Sequence, residues 1–357
     1  MNIYKAEKLR EFLQDVFVHC GMQQAEAMTA SNVLVAADLR GIDSHGVARL
    51  SGYIRLWESG RVNMKPKWKV VYETTSTVTI DADQGLGLTL GQEAMKFAIK
   101  KAKDCGTGWV AVKNSNHFGI AACHSMLALE HDMIGISMTN ASPLVAPTHS
   151  IERMLGTNPM CFAIPAKKYN AIVVDFATAA AANGKLEIAQ REGKPIPHGW
   201  VQTKDGQPST NPHELKNEGS LLPLGSDRDH GSHKGYGLGA VVDIFSAILS
   251  GANYGPWVPP FVSFLPVLPD SPGAGIGHFF GAMRVDAFRP IADYYENIDR
   301  WIERFKAAKP EPGFERVIIP GEPESEMETE RLVTGIPLNE LVEKDLISLG
   351  EKFGIAW

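Results

Sequence analysis

Three short apolar runs, Ile134–Met138, Cys161–Ile164 and Ile172–Val174, follow one another with no helical pattern between them. Parallel neighbours need a crossover, usually a helix. Strands in direct succession therefore argue against strict β–α–β alternation and give a mixed α/β class. Elsewhere the pattern is helical. Leu9, Phe12, Leu13, Val16, Phe17 and Cys20 fall at helical spacing, and further helices are predicted over 24–39, 90–103, 121–130, 179–191, 235–250 and 291–305, and from Leu338. Val70–Ile80 alternates as one strand, and Trp109–Val112 reads as a buried one. Residues 192–233 are expected to form a long ordered loop, 251–288 to wrap the surface or an interface, and 308–330 to be irregular. A chain of 357 residues fits two lobes.

Charge and cysteine usage exclude several classes. The net charge is −6 with both signs scattered, so no basic block exists to track a nucleic-acid backbone. Charges interrupt the N-terminal apolar pattern, and no window reads as a membrane span. Cys20, Cys105, Cys123 and Cys161 form no C-x-x-C pair, which fits a reducing, cytoplasmic compartment rather than a zinc ribbon or disulfide scaffold.

Four polar constellations could carry chemistry. Asp43-Ser44-His45-Gly46-Val47-Ala48-Arg49 combines an imidazole with a guanidinium, the group that grips a carboxylate with two hydrogen bonds. It reads equally as a helix cap with an incidental His. Were the segment helical, His45 and Arg49 would share one side. Asn114-Ser115-Asn116-His117-Phe118-Gly119 follows a buried strand, where active-site loops are common, but Asn-rich turns also satisfy backbone groups there. His117, His124 and His131 recur every seven residues. Seven helical residues rise about 10 Å, too far for one ion, so no metal site is expected. The third group is Gly156-Thr157-Asn158-Pro159, Asp175-Phe176-Ala177-Thr178 and Asn183-Gly184-Lys185, small and acidic residues that suit a cofactor. The fourth, His233-Lys234-Gly235-Tyr236-Gly237-Leu238, puts a cation at a helix start, where an anion would be welcome. Neither this stretch nor Gly85-x-Gly87 completes G-x-G-x-x-G, so a Rossmann site is unsupported.

Together, and in this order, these motifs and the later PGEPE (320–324) resemble the type 2 malate/L-lactate dehydrogenase family, whose members also include ureidoglycolate and sulfolactate dehydrogenases and cyclic imine reductases. The resemblance implies a non-Rossmann nicotinamide-binding domain with a mixed sheet (76–309) beside a helical domain built from both chain ends (1–75 with 310–357). It implies a homodimer with active sites at the subunit boundary. It assigns acid/base chemistry to His117, with His45 competing for that role, and substrate contacts to Ser44, Arg49, Tyr53, Ser142 and Pro143. Cofactor positions are Ala141, Asp175, Phe176, Ala177, Lys234, Gly321, Glu322 and Pro323; Ala141 stands where a polar residue is usual and could offer only backbone groups. The insert 259–288 looks most like the malate-type branch. The resulting expectation is a malate dehydrogenase using NAD, with NADP open. Arg153 is considered for the distal carboxylate. Another 2-hydroxy acid, a cyclic imine, a non-catalytic nucleotide binder and a metal-dependent hydrolase are the competing readings.

Overall fold

The computed structural model describes residues 1–357. The chain opens with strand β1 (Asn2–Tyr4) and helices α1 (Ala6–His19) and α2 (Gln24–Leu39). Two single 3-10 turns, Asp43–His45 and Val47–Arg49, break at Gly46 and lead into α3 (Leu50–Glu58). The segment is therefore not one helix, and the shared helical side expected for His45 and Arg49 does not exist. The predicted single strand over 70–80 is a hairpin, β2 (Lys69–Glu73) and β3 (Thr77–Asp81). The Thr74 amide donates to Thr77 O, and the two threonine hydroxyls lie 2.6 Å apart, closing the turn.

Helix α4 (Gly87–Cys105) and strand β4 (Thr107–Ser115) follow. The helix expected over 121–130 is a short α5 (Ala122–Ser125) that tightens into a 3-10 turn. Strands β5 (Met133–Thr139), β6 (Met160–Ile164) and β7 (Ile172–Phe176) then pair antiparallel in sequence, as direct succession requires. Helix α6 (Asn183–Glu192) starts four residues later than predicted, because Ala179 bridges to Pro223 and the Ala180 amide donates to Leu222 O. Within the expected loop 192–233 lies a three-stranded sheet of β8 (Val201–Gln202), β9 (Pro208–Ser209) and β10 (Ser220–Leu221). Helix α7 (Ser232–Asp243) continues as a π-turn over Ile244–Ile248.

The largest departure is β11 (Ile276–Arg284), in the segment expected to wrap the surface. It is the middle strand of the seven-stranded sheet, whose order is β2-β3-β4-β11-β5-β6-β7. Only β3 and β4 run parallel among the pairs of this sheet, so it is mixed and not doubly wound. After α8 (Ile291–Lys306), the region expected to be irregular contains α9 (Glu322–Thr334). Pro323 and the acidic Glu322 and Glu324 occupy its first turn, where a missing amide proton is harmless and the dipole favours negative charge. Strand β12 (Ile336–Leu338) returns to pair with β1, and α10 (Glu340–Phe353) closes the fold.

Burial organises these elements around the sheet. Phe280 and Ala282 of β11 pack with Val110 and Val112 beneath α4, whose Ala94, Met95 and Ala98 join the same core. Phe279 points the other way, with Ile136, Met138 and Val242 of α7. A separate core combines Leu9, Phe12, Val16, Leu34 and Leu50 with Ile336, Val342, Leu346 and Leu349, so both chain ends share it. Tyr53 is fully buried there. No helix is long and apolar enough to cross a membrane.

Candidate active site

The two 3-10 turns after α2 pack on α2 and α3, and His45 stacks on His117 just beyond β4. Buried Asp38 accepts a hydrogen bond from the Val47 amide at 2.8 Å, and Arg331 of α9 binds the Asp38 carbonyl and the Asp43 carboxylate. Asp43 is thus an ion-pair partner rather than a helix cap. Ser44 Oγ and His45 Nδ1 are 2.9 Å apart, and Arg49 donates its Nε proton to the Ser44 carbonyl at 2.5 Å, which fixes one edge of the guanidinium and leaves its terminal nitrogens for a ligand.

At the end of β4, Asn114 and Asn116 bind Asp81 and the Gln84 carbonyl, the structural task their turn suggests. His117 does something else. Tyr53 Oη and His117 Nδ1 are 2.6 Å apart, and the His45 and His117 rings stack at 5.8 Å. His117, His45, Tyr53 and Arg49 therefore meet at one place, although they come from two 3-10 turns, a helix and the loop after β4. Ser142, on the loop after β5, is joined to them through Phe261: the Ser142 hydroxyl accepts from the Phe261 amide at 2.9 Å, and the Phe261 ring lies 4.9 Å from that of His117. Pro143 follows in the same buried loop. The Ala141 amide is consumed by Asn158 Oδ1 at 3.1 Å, and Asn158 Nδ2 ties to the Gly239 carbonyl of α7, so the GTNP turn braces this loop. The NGK segment joins the site from outside: a methyl group on Gly184 would lie 2.9 Å from Ser44 Cβ and 3.3 Å from Arg49 Nη2.

The local electrostatics favour uncharged imidazoles. Burial, then the field of Arg49, lowers the His45 pKa to about 3. Burial also holds His117 well below the usual histidine range, with His45, Arg49 and His278 adding to the effect. His278 itself was not foreseen. It is fully buried in β11, and its ring links the Thr139 hydroxyl at 2.7 Å to the Ser115 hydroxyl at 2.8 Å. It thereby cross-links the ends of β4 and β5, which carry His117 and Ser142.

The residues matched to a cofactor divide. Asp175 lines a cleft of about 360 Å³ with Arg40, Gly321 and Pro323. The Asp175 carboxylate accepts from the Ala122 amide at 2.8 Å, and burial raises its pKa to about 6. Gly321 needs its φ of +88° for the turn, and a Cβ there would meet Val173 at 2.8 Å. Glu322 turns away, to Lys306, Arg316 and the Ile319 amide, and so its side chain faces a different cleft. Phe176 packs into the core on the α7 side of the sheet. The turn containing Ala177 is held by the Thr178 hydroxyl on Thr157 and Asn158 carbonyls, and neither Phe176 nor Ala177 lines the Asp175 cleft. Lys234 stands exposed in the first turn of α7, outside that cleft too. Arg153 does not reach the pocket with a free guanidinium: it donates to the Leu215 and Gly219 carbonyls.

Comparison with known proteins gives the family and the fold. Residues 4–347 match the family model described as malate/L-lactate dehydrogenase. The chain belongs to the malate/L-lactate dehydrogenase family. It is 42% identical over 350 residues to a malate dehydrogenase of Pyrococcus horikoshii, covering 98% of this chain and 95% of that one. It is 39% identical to an L-sulfolactate dehydrogenase of Methanocaldococcus jannaschii, covering 92% and 91%. The crystal structure of a malate dehydrogenase from Entamoeba histolytica superposes with a TM-score of 0.92 at 34% identity, covering 100% of this chain and 99% of that one. Membership makes the chain a dehydrogenase and implies a nicotinamide cofactor.

Proposed function

We propose that the chain interconverts malate and oxaloacetate with NAD, with His117 moving the proton. The observation that carries this reading is the Tyr53–His117 hydrogen bond beside Arg49 and His45. His117 can act as a base at Nε2 in the tautomer whose Nδ1–H donates to Tyr53 Oη; the Gly119 amide, 3.3 Å from Nδ1, competes with that tautomer. Arg49, steadied through its Nε, grips the C1 carboxylate. His45, oriented by Ser44, packs on His117 and positions the substrate. Ser142, which accepts from the Phe261 amide, and its neighbour Pro143 are assigned to the substrate loop. Bound NAD supplies the acceptor for the C2 hydride. No second cation stands within this ring of residues, but Arg55 and Lys216 line the adjoining cleft, and their field favours an acidic C4 end over an apolar one.

The residues suit the cofactor. The Asp175 cleft contains a buried Arg40 Nε with no hydrogen-bond partner, and a cofactor oxygen would satisfy it. Asp175 and Glu324 face the cleft, and the charge of Arg40 is balanced through its Nη1 by Glu328 at 2.9 Å, which leaves the buried Nε as a hydrogen-bond donor. That balance supports NAD, since a 2′-phosphate would meet carboxylates rather than a free cation. The core shared by both chain ends supports a helical domain of 1–75 with 310–357 beside a cofactor domain of 76–309. Tyr236, Val241, Ile244, Phe245, Ile248 and Leu249 expose an apolar face along α7 and its π-turn, which supports a homodimer. Four free cysteines fit a cytoplasmic enzyme.

The test is a spectrophotometric assay of the purified protein with malate, lactate, sulfolactate and ureidoglycolate, each with NAD and NADP. The expected order puts malate with NAD first in kcat/KM. Turnover of ureidoglycolate without malate would sink the substrate assignment, and a larger kcat/KM with NADP would overturn the cofactor.

A further inference from the structure

The insert around residue 261 brings an aromatic ring to the centre of the pocket. The Phe261 ring is 4.9 Å from the ring of His117, 5.4 Å from that of Tyr53 and 5.8 Å from the guanidinium carbon of Arg49. It therefore lies beside Arg49 and His117, the groups the functional reading assigns to the C1 carboxylate and the C2 hydroxyl. Its backbone is tied from two sides. The amide donates to Ser142 Oγ, and the carbonyl accepts from Arg55 of α3; the neighbouring Pro260 carbonyl accepts from Arg61 at 2.9 Å. The space it fills is built for it, because a Cβ on Gly52 would lie 2.5 Å from the ring. Beyond the ring opens a polar cleft of about 410 Å³, lined by Arg49, Arg55, Glu187, Gln190, Lys216 and Phe261 itself.

We infer that Phe261 is a specificity-determining residue: its ring closes the C3 side of the pocket and sets the longest 2-hydroxy acid that can react. The inference rests on the 2-hydroxy-acid reading above. With C1 on Arg49 and the C2 hydroxyl at His117, the remaining substituent runs toward the Phe261 ring. A four-carbon diacid ends at that wall, and each further methylene must displace a ring held at both backbone ends. Removing the ring joins the pocket to the cleft, where Arg55 and Lys216 provide charge for a distal carboxylate.

The experiment uses the full-length protein and its Phe261→Ala and Phe261→Leu variants. Each is assayed with malate, 2-hydroxyglutarate and 2-hydroxyadipate, and NAD binding is titrated without substrate. One misplaced methylene in a fitted pocket changes kcat/KM by about 10- to 200-fold. The wild type is expected to lose about tenfold or more with the first added methylene. Phe261→Ala should bring the three acids to within about threefold of one another, mainly by lowering KM for the longer two, with Phe261→Leu between and NAD affinity unchanged. If both variants keep the wild-type preference, or slow all three acids in parallel, the inference fails while the dehydrogenase reading stands. A wild type inactive on all three acids, and on every acid of the earlier panel, defeats that reading and this inference with it.

Discussion

Replacing His278 with Leu tests whether the centre of the sheet is held by a neutral imidazole. The ring is fully buried, bridges two hydroxyls and stacks on Phe118 at 5.0 Å. Without the ring the Thr139 hydroxyl keeps its 3.0 Å bonds to the Asn140 and Gly277 carbonyls and the Ser115 hydroxyl its 3.4 Å contact to the Asn116 carbonyl, so each lost imidazole bond costs roughly 0.5–1.5 kcal/mol. With the lost stacking on Phe118 included, the variant should be less stable at pH 7.5 by about 2–4 kcal/mol. Burial lowers the His278 pKa to about 3. The unfolded chain binds a proton at this residue below its ordinary pKa of 6.5, and the native state does not until near 3. Native stability from this residue is thus full above 6.5 and falls with pH through that window. Between pH 7.5 and 5.0 the loss is about 2 kcal/mol, at 1.36 kcal/mol per pH unit below 6.5. The variant lacks this loss, so the gap between the two proteins should narrow by about 2 kcal/mol at pH 5.0. Urea denaturation at fixed protein concentration and both pH values measures it. An offset that is equal at the two pH values refutes the neutral, buried imidazole.

His117→Ala should lower kcat by about 10²–10⁴-fold with NAD affinity nearly intact, whereas His45→Ala should raise KM more than it lowers kcat; steady-state kinetics with a cofactor titration separate them, and the opposite pattern exchanges the two roles. Gly184→Ala puts a methyl 2.9 Å from Ser44 Cβ and 3.3 Å from Arg49 Nη2. The carboxylate clamp must shift, and KM for malate should rise by about tenfold or more with little change in melting temperature, as a displacement of about 1 Å in an active site is costly.

How much of this was legible in the sequence depends on whether a residue's neighbours lie close in the chain. Helix α1 shows its buried face because one side of it meets solvent, so Leu9, Phe12, Leu13 and Val16 recur at helical spacing. Strand β11 shows nothing comparable. It is buried on both faces, so its residues do not alternate, and its two glycines read as turn signals although Gly277 packs under the Ser246 backbone and Gly281 under the Trp109 ring. Helix α9 was hidden by Pro320, Gly321 and Pro323, which mark a helix start as readily as a loop. At the site, His45, Arg49 and His117 stood out by residue type. Phe261 and His278 did not, since an aromatic in a Pro-rich insert and a lone His acquire meaning only from the Ser142, Arg55, Ser115 and Thr139 groups that reach them. Arg153 was misleading for the converse reason: its charge looked available, but two backbone carbonyls far along the chain occupy it.

The same long-range assembly fixes how the site responds to pH. No carboxylate hydrogen-bonds to His45 or His117; their partners are Ser44, Tyr53 and the Gly119 amide. Burial comes first among the causes that depress both imidazoles, and the positive charge of Arg49 adds to it. The free enzyme therefore carries a neutral base well below pH 6.5, at the cost of a weak one. A bound substrate changes the balance, because its C1 carboxylate on Arg49 cancels the cation that disfavours the imidazolium. The His117 pKa must then be higher in the complex than in the free enzyme, and protonation of His117 in turn stabilises the bound acid. With NAD saturating, kcat/KM for malate reports the NAD complex before malate binds and kcat the ternary complex, so the acidic limb of malate oxidation should lie at higher pH in kcat than in kcat/KM. Both profiles can be measured from pH 5 upward with saturating NAD. Coincident limbs would mean that Arg49 does not hold the carboxylate beside the base, and the clamp would have to be sought elsewhere in the pocket.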